Sequence, residues 1–147
     1  MNGNWVPASW FVWAALSAVF AAATAILAKL GLAGIDPDMA TLVRVVVIFG
    51  VLASFVLATG KWVDPRAIAP RTWLFLGLSG LATGVSWVCY FRALQIGEAS
   101  KVAPVDKLSV VLVAMFATLF LGERPLAREW LGIGFVALGV VVLSWRT

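Results

Sequence analysis

Apolar runs of about membrane-spanning length recur along this sequence, parted only by short stretches rich in glycine and proline. An α-helix rises about 1.5 Å per residue and the hydrocarbon core of a bilayer is about 30 Å thick, so a crossing takes about 20 mostly apolar residues. Five segments meet that need, at about 9–32, 39–59, 72–96, 102–121 and 126–145, and predict an all-α integral membrane bundle of five transmembrane helices. The 147 residues are read as one domain, because the connections at 34–38, 60–70 and 122–128 are too short to hold a second. Composition agrees: 63% of the residues are hydrophobic and 12% charged, against about half and about a quarter in a soluble domain. A soluble chain of this length must cover its outside with polar groups; here the outside must be lipid.

Tryptophan placement supports the same register. Trp5, Trp10, Trp13, Trp62, Trp73, Trp130 and Trp145 fall at predicted helix ends, where amphipathic rings anchor at the headgroups. Trp87 alone sits in mid-helix, with Tyr90 one turn on. Both are candidates to wall an interior cavity, beside the plainer reading of aromatic packing. Gly77, Gly80 and Gly84 on the third helix, and Ala14, Ala18 and Ala22 on the first, have the small-residue spacing that lets helices approach closely.

Two helices are short of uncharged length. The stretch 45–59 would reach only about 22 Å and 108–121 only about 21 Å, so Arg44 in the second helix, and Asp106 with Lys107 in the fourth, are predicted at membrane depth. With five crossings, Lys29, Arg44, Arg92, Lys101, Asp106 and Lys107 all lie within about two turns of one membrane face. Ionisable groups at depth cost a few kcal/mol and usually mark a substrate path. Lysine and arginine near helix ends can instead snorkel to the interface. Asp106 is too short to do so. It is the leading candidate for a proton- or cation-coupling site, with an ion pair to Arg92 or Arg44 as its structural alternative. Pro104 is placed in the first turn of the fourth helix, where it is tolerated. A net positive vestibule favours substrates bearing a carboxylate or phosphate.

Other classes are disfavoured. Net charge is +4, but the 11 Lys and Arg are scattered between apolar runs and form no stripe for nucleic acid. Cys89 is the single cysteine and histidine is absent, which leaves no disulfide framework, no metal or other cofactor site and no usual catalytic base, so an enzyme is not expected. There is no phosphate-binding loop, hence secondary coupling is inferred over ATP hydrolysis. The N-terminal apolar stretch lacks the basic flank and cleavage site of a leader and is read as a retained helix. The hairpins after helices 2 and 4 carry Lys61, Arg66, Arg71, Arg124 and Arg128; the other face carries Lys29, Lys101 and Arg146. The loop count places the N-terminus in the cytoplasm. Adding Arg44, Arg92 and Lys107 erases the difference, so insertion in both orientations is open.

Residues 90–104 (Tyr-Phe-Arg-Ala-Leu-Gln-Ile-Gly-Glu-Ala-Ser-Lys-Val-Ala-Pro), 119–124 (Leu-Phe-Leu-Gly-Glu-Arg), Trp130-Leu131-Gly132 and Gly139 resemble the EamA domain of the drug/metabolite transporter superfamily. Lys29, Gly31, Pro37 and Arg44 fit the front half of that pattern. In most members two such domains of inverted orientation surround a central cavity and export amino acids, nucleotides or drugs. The resemblance implies that this single copy pairs with a second, as an antiparallel homodimer in the cytoplasmic (inner) membrane. It implies that Glu123 caps the fourth helix near its hairpin, pairing with Arg124 or Arg128. The Asp106-Lys107 pair departs from the family pattern, so no substrate class carries over. The expected function is therefore a secondary transporter or exporter of a small metabolite or drug. Its cavity would be built from Arg44, Trp87, Tyr90, Arg92, Asp106 and Lys107. The alternative is a non-transporting subunit that scaffolds a larger membrane complex.

Overall fold

The computed structural model describes residues 8–145, so Trp5 and Arg146 lie outside the described residues. The described chain is mostly helical, without strands. Helix α1 runs Ala8–Gly31, α2 Pro37–Ala58, α3 Pro70–Ile96, α4 Ala99–Asp106, α5 Ser109–Phe116 and α6 Ala127–Ser144. A 3₁₀ turn at Pro65–Ala67 precedes α3, and a π turn at Ala117–Leu121 continues α5. Five stretches are long and apolar enough to cross a membrane: Trp10–Gly31, Pro37–Ala58, Pro70–Ile96, Ala99–Leu121 and Ala127–Ser144. This is a multi-pass membrane protein, as the sequence predicts.

Helix starts show how the sequence sets these limits. Asp36 caps α2 by accepting from the Asp38 and Met39 amides at 2.9 and 3.2 Å, and Pro37 occupies the first helical position, where its missing N–H costs nothing. Helix α2 thus begins two residues before the predicted 39. Pro70 likewise opens α3. The Glu129 carboxylate accepts from the Leu126 amide at 2.7 Å and closes the start of α6. Inside the spans, hydroxyls bond back one turn: Thr41 to Pro37 O at 2.8 Å, Thr83 to Ser79 O at 2.9 Å, Thr118 to Ala114 O at 2.9 Å and Ser144 to Val140 O at 2.7 Å. No hydroxyl in this set is left bare toward lipid.

The fourth crossing departs from prediction. Helix α4 begins at Ala99 rather than 102, so Pro104 is inside it rather than in its first turn. Proline has no N–H and its ring crowds the preceding turn. From the Pro104 carbonyl onward the ladder tightens to the i−3 pattern, with Lys107 N–H to Pro104 O, Leu108 N–H to Val105 O and Val110 N–H to Lys107 O all at 3.0 Å. Helical hydrogen bonding resumes at Ser109, then widens into the π turn and ends at Gly122. Gly122 has φ 69°, a left-handed conformation that suits a residue without Cβ.

The chain divides into two compact units. One is Leu27–Ile96, in which α2 packs against α3. Phe91 and Leu94 of α3 are fully buried, and Leu32, Pro37 and Thr41 are buried too. The other joins α1 up to Ile26 with the chain from Gly97 onward, where α6 packs on α4 and α5. Ala117 and Val140 are buried there.

Candidate functional site

In the Leu27–Ile96 unit, α2 and α3 pair antiparallel, for Asp38 meets Arg92 while Arg44, farther along α2, meets Trp87 and Phe91, earlier on α3. The Arg44 guanidinium carbon lies 4.3 Å from the Phe91 ring centroid and 5.5 Å from that of Trp87. Such cation–π contacts contribute about 0.5–2 kcal/mol each. Arg44 Nη1 is buried with no hydrogen-bond partner among the described residues. Tyr90 sets its ring edge-on to Phe91, centroids 5.9 Å apart. Arg44 and Trp87 are thus brought together. Phe91, which sequence reasoning missed, is the closer partner; its signal was its place one turn after Trp87, on the same face of α3.

Arg92 has a different role from the one expected. Its Nε donates to Asp38 Oδ1 at 3.0 Å and its Nη2 to Asp38 Oδ2 at 2.6 Å, a two-pronged pair. Asp38, not Asp106, is its carboxylate. Asp38 was overlooked because Pro37 was read as a loop breaker instead of the first residue of a helix. Lys29 Nζ donates to the Leu94 carbonyl at 2.6 Å, and Gln95 Nε2 to the Ile35 carbonyl at 3.2 Å. The α1–α2 hairpin is therefore fastened to the end of α3 by three polar links, and Lys29 does more than snorkel.

Asp106 and Lys107 belong to the other unit. Lys107 Nζ lies 3.2 Å from Asp106 Oδ2. Adjacent residues on a helix point about 100° apart and do not face each other. This pair forms because α4 stops at Asp106 and Lys107 is already its C-cap. The carboxylate of Asp106, for which an ion pair with Arg92 or Arg44 was the structural alternative, has Lys107 as its partner within this unit. Lys101 pairs with Glu98 at 3.0 Å across one turn. Among the described residues Glu123 makes no ion pair with Arg124 or Arg128; its amide bonds to the Ala117 carbonyl at 3.2 Å. Glu129 takes the capping role instead, at the start of α6.

The predicted close approach at Gly77, Gly80 and Gly84 is not made among the described residues, since a Cβ at any of them would meet nothing within 4 Å. With Leu81, Val85 and Val88 they line an open apolar groove along α3.

A family model described as the EamA-like transporter family matches residues 8–145, nearly the whole chain. The chain belongs to this family. A Sinorhizobium protein named an uncharacterized transporter in the cobO 3' region is 58% identical over 136 residues, 92% of this chain and 96% of that relative. A Yersinia pestis protein named a probable 4-amino-4-deoxy-L-arabinose-phosphoundecaprenol flippase subunit ArnE is 31% identical over 86 residues, 58% of this chain and 75% of the relative. No solved structure matches. Five membrane spans together with these likenesses establish a membrane transporter.

Proposed function

We propose that this EamA-like chain is a secondary transporter that moves a small molecule across the cytoplasmic membrane as a homodimer. The observation that carries the reading is the tightened turn in the fourth crossing: behind Pro104 the ladder shifts to the i−3 pattern, α4 ends at Asp106, Lys107 pairs with it at 3.2 Å, and the apolar α-helix resumes at Ser109. Irregular turns within membrane helices are places where transporters seat coupling ions or substrates. Asp106 is the coupling candidate: protonation or cation binding would release Lys107. Trp87, Tyr90 and Phe91 wall the substrate path on α3, facing Arg44 of α2. Pairing is supported by the Sinorhizobium transporter, of which this chain covers 96%, so a unit of this size recurs in a relative named as a transporter.

The test is uptake. Purified protein is reconstituted into liposomes, exposed to a metabolite extract, and the trapped contents are compared by mass spectrometry with those of empty liposomes. Wild type should accumulate specific solutes. Asp106→Asn should insert and pair normally yet accumulate nothing above the empty control; normal uptake by this variant would remove Asp106 from the mechanism.

A second reading is favoured by the ArnE relative, which is named a flippase subunit. On that reading this chain is one half of a hetero-pair moving an amphiphilic phosphate. A stoichiometric second membrane chain purifying with it from its own cell would favour this reading over the homodimer.

A further inference from the structure

The cations predicted at depth differ in one respect. Arg92 is paired with Asp38, Lys101 with Glu98 and Lys107 with Asp106, while Lys29 is bonded to a carbonyl. Arg44 has no carboxylate partner among the described residues, and its Nη1 is a buried donor without an acceptor. A guanidinium stays protonated in any protein setting, so burial cannot neutralise it. Arg44 as a whole is half-buried, and taking one of its donors out of water with no acceptor is unfavourable. The two rings stabilise the cation through its face but give its N–H edge nothing to bond. What this arrangement lacks is a planar oxyanion.

We propose that Arg44 is the anion hook of the substrate site, taking the carboxylate or phosphate of a ligand whose apolar or aromatic body lies against Trp87 and Phe91. This assignment rests on the transporter reading above and names its substrate class. A guanidinium binds such groups through two parallel N–H···O bonds. Arg44 is seven residues into α2, about 10 Å from the helix start, so the ligand would be held well inside the membrane. Nη1 is sealed in this conformation; engaging it requires the arginine or the Trp87 ring to turn, which links binding to a change in α2–α3 packing. The same chemistry serves a soluble metabolite and a lipid headgroup.

The experiment titrates full-length protein in phosphatidylcholine nanodiscs with benzoate, phenyl phosphate and benzyl alcohol, reading the thermal midpoint. Benzoate and phenyl phosphate should bind at least tenfold more tightly than benzyl alcohol. Arg44→Gln should abolish that preference, Arg44→Lys should keep only part of it, and Arg71→Gln should leave it intact. Equal binding of benzyl alcohol, or an anion preference surviving Arg44→Gln, overturns the proposal. If Arg44→Gln does not fold, Arg44→Lys decides, because unchanged affinity there overturns a guanidinium hook. Added phosphatidylglycerol that competes with phenyl phosphate in wild type, but not in Arg44→Lys, assigns the site to a lipid headgroup; no competition assigns it to a soluble anion. Asp106-dependent uptake confined to neutral or cationic solutes would overturn the anion assignment and leave the transporter reading standing.

Discussion

At the scale of single residues, a charge at membrane depth is held here in three ways: by an opposite charge, by a backbone carbonyl, or by aromatic faces. Lys29 shows the second. Its ammonium reaches the Leu94 carbonyl at 2.6 Å, and a hydrogen bond from a charged donor contributes about 1.5–3 kcal/mol. Lys29→Met keeps the apolar stem and should destabilise the protein by about 1–2 kcal/mol, seen as a lower thermal midpoint in detergent. An unchanged midpoint would mean that the link contributes nothing. Arg92 and Asp38 show the first. Asp38→Arg and Arg92→Asp should each lower the midpoint, and the double exchange should restore most of the loss; additive losses would deny the pair. The contact of Arg44 with Trp87 and Phe91 was half legible in the sequence. The short apolar span of helix 2 placed the arginine at depth, and Trp87 stood out as the mid-helix tryptophan. Phe91 was passed over although it lies one turn after Trp87, because a phenylalanine among so many apolar residues draws little notice until α2 lies beside it.

At the scale of elements, lipid makes the crossings legible and leaves their interruptions hidden. A run of apolar residues must be long enough to span, so five helices could be counted from length alone. Breaks depend on hydrogen bonding. The fourth helix was extended back only as far as its apolar length required, to 102, which made Pro104 look harmless. With α4 starting at Ala99, the proline is internal and the ladder tightens behind it. Pro104→Ala should remove a penalty of about 3 kcal/mol for an interior proline, at least in part. Helix α4 should then run on through Lys107 and swing that lysine away from Asp106. Hydrogen exchange should show slower amides at 104–108 and uptake should fall; unchanged exchange would show that the proline does not set the break. Gly122→Ala, at φ 69°, should cost about 1–2 kcal/mol, read as a lower thermal midpoint, with no change expected if the turn relaxes.

At the scale of the whole molecule, the charge pattern matters more than any single contact. The loop cations on the two membrane faces are Lys61, Arg66, Arg71, Arg124 and Arg128 against Lys29, Lys101 and Arg146. The positive-inside preference counts such residues near helix ends. Counting the deeper cations Arg44, Arg92 and Lys107 offsets the difference, and on the proposed reading both orientations are used. A chain of one five-helix unit that inserts both ways can build an inverted pair from two copies of itself, which is the geometry on which alternating access by inverted repeats relies. The family assignment was legible in the signatures at 90–104 and 119–124. The proposed pairing was not, because it would depend on the small bias that settles orientation during insertion.

Orientation is therefore the most direct test. With a tag at the C-terminus, protease or impermeant-label access in intact cells measures the fraction facing outward. The account predicts a near-equal mixture, as an antiparallel, self-sufficient transporter requires. A single orientation would contradict it and point to a chain that works only beside a different membrane subunit.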